Sequence, residues 1–176
     1  NPYSGLVHTE MALIDEESKL LGREFTSNVE GNALEQLLEK NTIVTSSVIV
    51  RRSCLETVGS FDNNLTSSED WELWVRIASV YPIALVKEPL VFYRQHANNT
   101  TNNWQMLEQD LSSIEQIFQL VPEELSHIKK RTYAYANVYL AWKALQTGYP
   151  RQAAYFRNQS IKHYFSILFS PNFIRL

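Results

Sequence analysis

The chain holds 176 residues, 44% of them apolar and 20% charged, with a net charge of −3 and one cysteine, Cys54. That balance suits one ordinary domain or part of a larger one, soluble and built on a real hydrophobic core, and it excludes a disordered segment. A mildly acidic chain makes a poor grip for phosphate backbones, so nucleic acid is not an expected partner. A lone cysteine forms neither an internal disulfide nor a thiolate-rich metal site, which points to the reducing cytosol and makes Cys54 a small core residue. No basic stretch followed by an apolar leader opens the chain, and no run of about 18 apolar residues occurs, so no transmembrane segment is expected. The opening Asn1-Pro2, running at once into the apolar "SGLVHTEMALID", reads as a cut made inside a longer protein.

In chain order, Gly5 to Ile14 predicts a strand, followed by the polar turn "DEESKLLG". Between Gly31 and Asn41, Leu34, Leu37 and Leu38 fall on one face of a short helix, with Asn32 as its cap and Asn41 as its stop. The β-branched run "TIVTSSVIVRR" predicts an extended segment, and "SCLETVGSFD" a helical turn ending at Gly59. Trp71, Trp74, Ile77 and Ala78 then share one helical face, with Glu72, Val75 and Arg76 elsewhere around the helix, until Tyr81-Pro82 ends it. "IALVKEPLVFYRQH" predicts a bent strand or an edge pair broken at Pro89.

After the polar linker "HANNTTNN" the pattern turns wholly helical. One helix is expected over Trp104–Leu120 and a second from Pro122 through Leu125, Ile128, Tyr135, Val138, Tyr139, Trp142 and Leu145. Gly148-Tyr149-Pro150 stops it, and a third helix is expected from Arg151 to about Phe169. The expected division is an α/β portion at 1–100 and a helical extension at 101–176.

The pair Glu69-Asp70 stands where that Trp-bearing helix begins. Thr66, Ser67 or Ser68 suits the cap, and acids in the first turn favour the positive end of the helix dipole by about 0.3 to 1 kcal/mol, so the pair has a complete structural reason to exist. The order of the surrounding elements supplies another. "NPYSGLVHTEMALIDEESKLLG", "TSSVIVRRSCLETVGSFDNNLTSSEDWELWVRIA" and "YPIALVKEPLVFYRQHANNTT" together resemble the second half of family 2 glycosyltransferases of the GT-A fold. The central piece is the specific one, because a strand, a Val-Gly-x-Phe-Asp turn and a Glu-Asp-Trp helix start follow in fixed order.

The resemblance implies a partial GT-A (Rossmann-like) sheet of nucleotide-diphospho-sugar transferase type followed by an α-helical extension. It implies an inverting, non-processive enzyme, since no Gln-x-x-Arg-Trp follows the Glu-Asp helix. Asp70 then takes the proton of an acceptor hydroxyl as general base, work that needs an ionised carboxylate within hydrogen-bond reach. Glu69 orients the site or caps the helix; Trp71 offers a sugar ring an apolar face or belongs to the core. His96 completes a cation site or bonds locally within its loop. The implied partners are a nucleotide-sugar donor and a sugar or lipid-linked acceptor, and the implied cofactor is a divalent cation, Mg or Mn. The cation's main ligands, the family's Asp-x-Asp, are expected to lie before Asn1, which would leave this piece inactive alone. Cytoplasm, at the inner face of the membrane, is the compartment that follows.

Two further features compete for meaning. "YANVYLAWKALQTGYPRQAAYFRNQSIKH" has the look of one tetratricopeptide-like hairpin, the alternative being a non-catalytic interaction module. The aromatic tail "HYFSILFSPNFIRL" suits peripheral contact with a membrane or, more simply, packing on neighbouring helices.

Overall fold

The computed structural model describes residues 2–174 apart from residues 66 and 97. The chain divides into two compact units, residues 1–37 with 41–97, and residues 38–40 with 98–176.

In the first unit, four strands among the described residues, β1 (Leu6–Ile14), β2 (Leu20–Phe25), β3 (Ile49–Val50) and β4 (Ile83–Arg94), make one mixed sheet. β1 is its centre. One edge pairs in parallel with β4; the other is shared by β3 along the first residues and β2 along the last, both antiparallel. A central strand flanked on both edges needs a continuous apolar run, which Met11 to Ile14 supplies. His8 is fully buried, with Nε2 2.8 Å from the carbonyl oxygen of Val29. A carbonyl only accepts, so Nε2 carries the proton, and burial lowers the pKa of the ring. Gly5 is required by a close approach: a Cβ there would stand 2.7 Å from Cβ of Tyr81 and 3.0 Å from Sγ of Cys54. Cys54 is buried, as its isolation in the sequence suggests.

β4 is a single twelve-residue strand rather than a broken pair. Its register against β1 slips on both sides of Glu10, which pairs with Pro89, so the proline sits at a bulge where the missing N–H is tolerated. The polar turn expected after β1 is shorter than "DEESKLLG", because β2 begins at Leu20 and runs through Gly22 at φ +63°. All six residues of β2 are exposed, so no alternation marks it. "TIVTSSVIVRR" departs further from expectation. Only Ile49 and Val50 are strand, since Ser47 bonds back to the Val44 carbonyl through both its N–H and its hydroxyl and closes a 3-10 turn over Thr45–Ser47.

The helices of this unit are α1 (Leu34–Glu39, its last residues counted with the second unit), α2 (Arg52–Val58) and α3 (Glu69–Ala78). α1 is shorter than the expected span, and Asn41 ends it by accepting the Ile43 N–H on its side chain. α2 ends at Gly59, φ +86°, whose N–H bonds the Leu55 carbonyl. α3 is buried almost all round, against the expected single apolar face: Glu72, Leu73 and Val75 are buried along with Trp71, Trp74 and Ile77. Burial of Glu72 is possible because Arg76, one turn on, pairs with both its oxygens at 2.6 and 2.7 Å.

The second unit is helical: α4 (Trp104–Leu107), α5 (Asp110–Gln119), α6 (Lys129–Gln146), α7 (Pro150–His163) and the short α8 (Pro171–Ile174). The single helix expected over Trp104–Leu120 is split, because Leu111 and Ser112 bond carbonyls three residues back and the Ser112 hydroxyl also takes the Gln109 carbonyl. Pro150 does not merely stop α6; it is the first residue of α7, where its absent N–H is no loss. α7 ends at His163, and a 3-10 turn, Phe165–Phe169, completes the span expected as helix. α6 and α7 meet through small residues: Ala141, Ala144 and Ala153 are buried with Leu140 and Phe156 around Trp104, whose ring stands edge-on to Phe156 and Tyr149 at 5.7 and 5.6 Å. Tyr139 and Leu145, expected on the core face, are exposed instead. Residues 38–40 join this unit through Thr132, whose hydroxyl donates to the Leu38 carbonyl at 2.8 Å, and through the Arg131–Glu39 ion pair at 2.5 Å.

Candidate active site

α3 places the acids. Ser68, just before it, lies in the left-handed region at φ +58°, a strained conformation for a residue with a Cβ. Its side chain makes no capping bond, contrary to expectation; its carbonyl accepts the Glu72 N–H at 3.0 Å instead. Thr66, another of the three candidate caps, lies outside the described residues. Asp70 takes over part of the capping: Oδ1 accepts the Trp71 N–H at 2.6 Å. Oδ2 accepts the Thr45 hydroxyl at 2.5 Å, from the 3-10 turn before β3.

Both oxygens of a half-buried carboxylate are thus held from two separate parts of the chain. Burial pushes the Asp70 pKa above its ordinary value, opposed by the hydrogen bonds from Thr45 and from the backbone at Trp71; the negative charge of Glu69 adds to the rise. Glu69 itself is exposed.

The support beneath Asp70 is rigid. Trp71 is 8% exposed, and its indole N–H donates to the Leu37 carbonyl at 2.7 Å, tying the start of α3 to α1. Its ring is packed away from solvent, the arrangement of a core residue. At the other end Arg76 adds bonds to the carbonyls of Val58 and Ser60 to its pairing with Glu72, so α3 is fastened to the turn after α2. Phe61 stands edge-on to Trp74 at 6.3 Å in the same region.

His96, beyond the end of β4, is exposed. Among the described residues no three His, Cys, Asp or Glu side chains gather to hold a metal ion, so the residues present do not by themselves fit a cation site and no chemical step is assigned to one. Arg51 bonds the carbonyls of Ser4 and Pro2 at 3.3 and 3.0 Å and lines an open cleft of about 210 Å³ with Ser4, Gly5, Val7 and Ile49. Asp70 is not among the residues lining that cleft. Thr45 is the partner of Asp70 that sequence reasoning passed over. Its signal was the Thr-Ser-Ser cluster, whose hydroxyls favour local bonding over a strand.

A central parallel strand pair, a crossover of short helices between its members and acids at the start of the last helix define a mixed α/β arrangement consistent with a partial GT-A fold. The chain belongs to the glycosyltransferase like family 2, whose model matches residues 1–159. The matched stretch takes in the sheet and the helices as far as α7, and it supports a role in glycosyl transfer. A search of the curated proteins finds no match.

Proposed function

We propose that this chain carries the acceptor-side half, 1–100, and a helical extension, 101–176, of an inverting, non-processive glycosyltransferase. Its partners are a nucleotide-sugar donor and a sugar or lipid-linked acceptor, and its compartment is the cytoplasm. The observation that carries the reading is the Asp70 carboxylate, half-buried and gripped by Thr45 and the Trp71 N–H, with its pKa raised toward the range in which a general base works best.

In the reaction, Asp70 takes the proton of the acceptor hydroxyl. The freed oxygen pair forms the new bond to the anomeric carbon, and the bond from that carbon to the nucleoside diphosphate breaks, its electrons leaving with the diphosphate. Thr45 fixes the carboxylate's orientation; Glu69 raises its basicity by its neighbouring charge. Donor binding is assigned to a part of the protein preceding Asn1, so the isolated chain is expected to be inactive.

The test is Asp70→Asn in the full-length protein. Transfer to the acceptor should fall by about 10²- to 10⁴-fold, with circular dichroism unchanged. A variant that keeps half or more of the activity removes Asp70 from the chemistry. If changes on the exposed surface of α6 and α7 alone abolish function, the interaction-module reading takes its place.

A further inference from the structure

Every aspartate and glutamate of the chain lies at or before Glu124, so the net charge of −3 conceals a sharp segregation: the remainder of the sequence carries only cationic ionisable side chains besides tyrosines. α7 shows how that charge is displayed. Ala153, Phe156 and Ser160 form its buried face. Arg151, Tyr155, Asn158 and Lys162, spaced at i, i+4, i+7 and i+11, are exposed on the opposite one. The chain then turns at Tyr164 and presents Phe165 and Phe169, 67% and 77% exposed, followed by Ile174 at 72%. These groups are not loose ends. Ile167, between the two phenylalanines, is 1% exposed and packs with Ala134 and Val138 of α6, while Tyr164 and Phe173 close over the same cluster. The segment is therefore pinned by one side chain and displays its neighbours outward.

We propose that the outer face of α7 and the Phe165–Phe169 turn form a docking surface for an anionic lipid bilayer. Arg and Lys answer the negative headgroups, Tyr155 sits at headgroup level, and the two phenylalanines enter the acyl boundary. The combination decides the occupant. A purely electrostatic partner explains the cations and leaves the displayed phenylalanines without a role, whereas an apolar partner leaves the charge segregation without one. No helix among the described residues is long and apolar enough to cross a membrane, so this contact lies on the surface.

The test is co-sedimentation of the full chain with phosphatidylcholine vesicles, with and without phosphatidylglycerol. Binding is expected to the phosphatidylglycerol vesicles alone, weakened at least about tenfold when salt rises from about 0.1 to about 0.5 M. The double variant Phe165→Ser/Phe169→Ser should bind at least about tenfold more weakly, each ring losing its burial in lipid. Arg151→Gln/Lys162→Gln, wholly on the exposed face, gives a second variant with the same expected direction should the first lose its circular dichroism signal. Equal affinity for neutral vesicles overturns the proposal. So does binding that survives both variants, or binding to polyglutamate as tight as to vesicles, which would make an acidic protein the partner. None of these readouts depends on glycosyl transfer.

Discussion

In the sheet unit, polar side chains meet partners brought from distant parts of the chain: Thr45 reaches Asp70, Trp71 the carbonyl of Leu37, and Arg76 the carbonyls of Val58 and Ser60. In the helical unit, Asn137, Ser160 and Thr147 bond back to carbonyls three or four residues earlier on their own helix. Glu115 departs from that pattern, joined to Lys129 and to Tyr133, whose pKa burial and that bond push up to about 12, and so do Thr132 and Arg131, which reach Leu38 and Glu39. Local bonds satisfy a helix without specifying anything beyond it. Bonds across the chain hold a chosen group in a chosen orientation, and a reacting carboxylate needs that.

If distant bonds set the first unit apart, cutting one should harm it more than any helical substitution harms the second. Arg76→Met leaves the buried Glu72 carboxylate unpaired and strips the turn after α2 of two bonds, so stability measured by urea unfolding should fall by about 3 to 5 kcal/mol. Ala144→Leu overfills the α6–α7 contact and should cost about 1 to 3 kcal/mol in the same assay. Thr45→Val removes one bond from Asp70 with little change in shape. About 1 kcal/mol of orientation should go with it, read as a roughly fivefold loss of transfer in the full-length protein. Because that bond lowers the Asp70 pKa, the acid limb of the pH–rate profile should also move to higher pH.

Asp70→Asn gives the smallest stability effect and the most telling sign. An acid whose folded pKa lies above its unfolded value of 3.8 is held protonated by the fold at pH values where the unfolded chain has lost the proton. The resulting penalty is absent well below pH 3.8 and develops as pH rises through the folded pKa. Asp70→Asn should therefore raise stability at pH 7 and leave it unchanged near pH 3, as compared by thermal melts. A loss at pH 7 would mean the carboxylate serves the fold, contrary to a site held under strain.

Much of the first unit can be read in the letters. β1, α2 with its Gly59 cap, and the start of α3 at Glu69 all follow from apolar runs, glycine and acid placement, which are local signals. What escaped reading left no distinctive apolar pattern. β2 has no buried residue to give it a pattern, the Thr45–Ser47 turn hides in a β-branched run, and Glu72 looks like a surface acid until Arg76 closes on it. For α6 the error had another source. Large apolar residues suggest the core face, yet close helix packing selects the alanines and leaves Tyr139 and Leu145 outside. The same logic applies at the site: the Glu-Asp pair announces itself, whereas the hydroxyl that grips it is visible only once the chain has folded.

β1 occupies the middle of the sheet, and its two edges fill at very different moments. Its hairpin with β2 forms within a few residues, while β4 arrives only after α1, α2 and α3 have been laid down. During synthesis one edge of an apolar strand must therefore wait, unpaired, for a partner made much later. Assembly of the sheet is then expected to be slow and vulnerable to wrong strand partners, and conditions that favour elongation at low temperature should raise the yield of correctly closed chains.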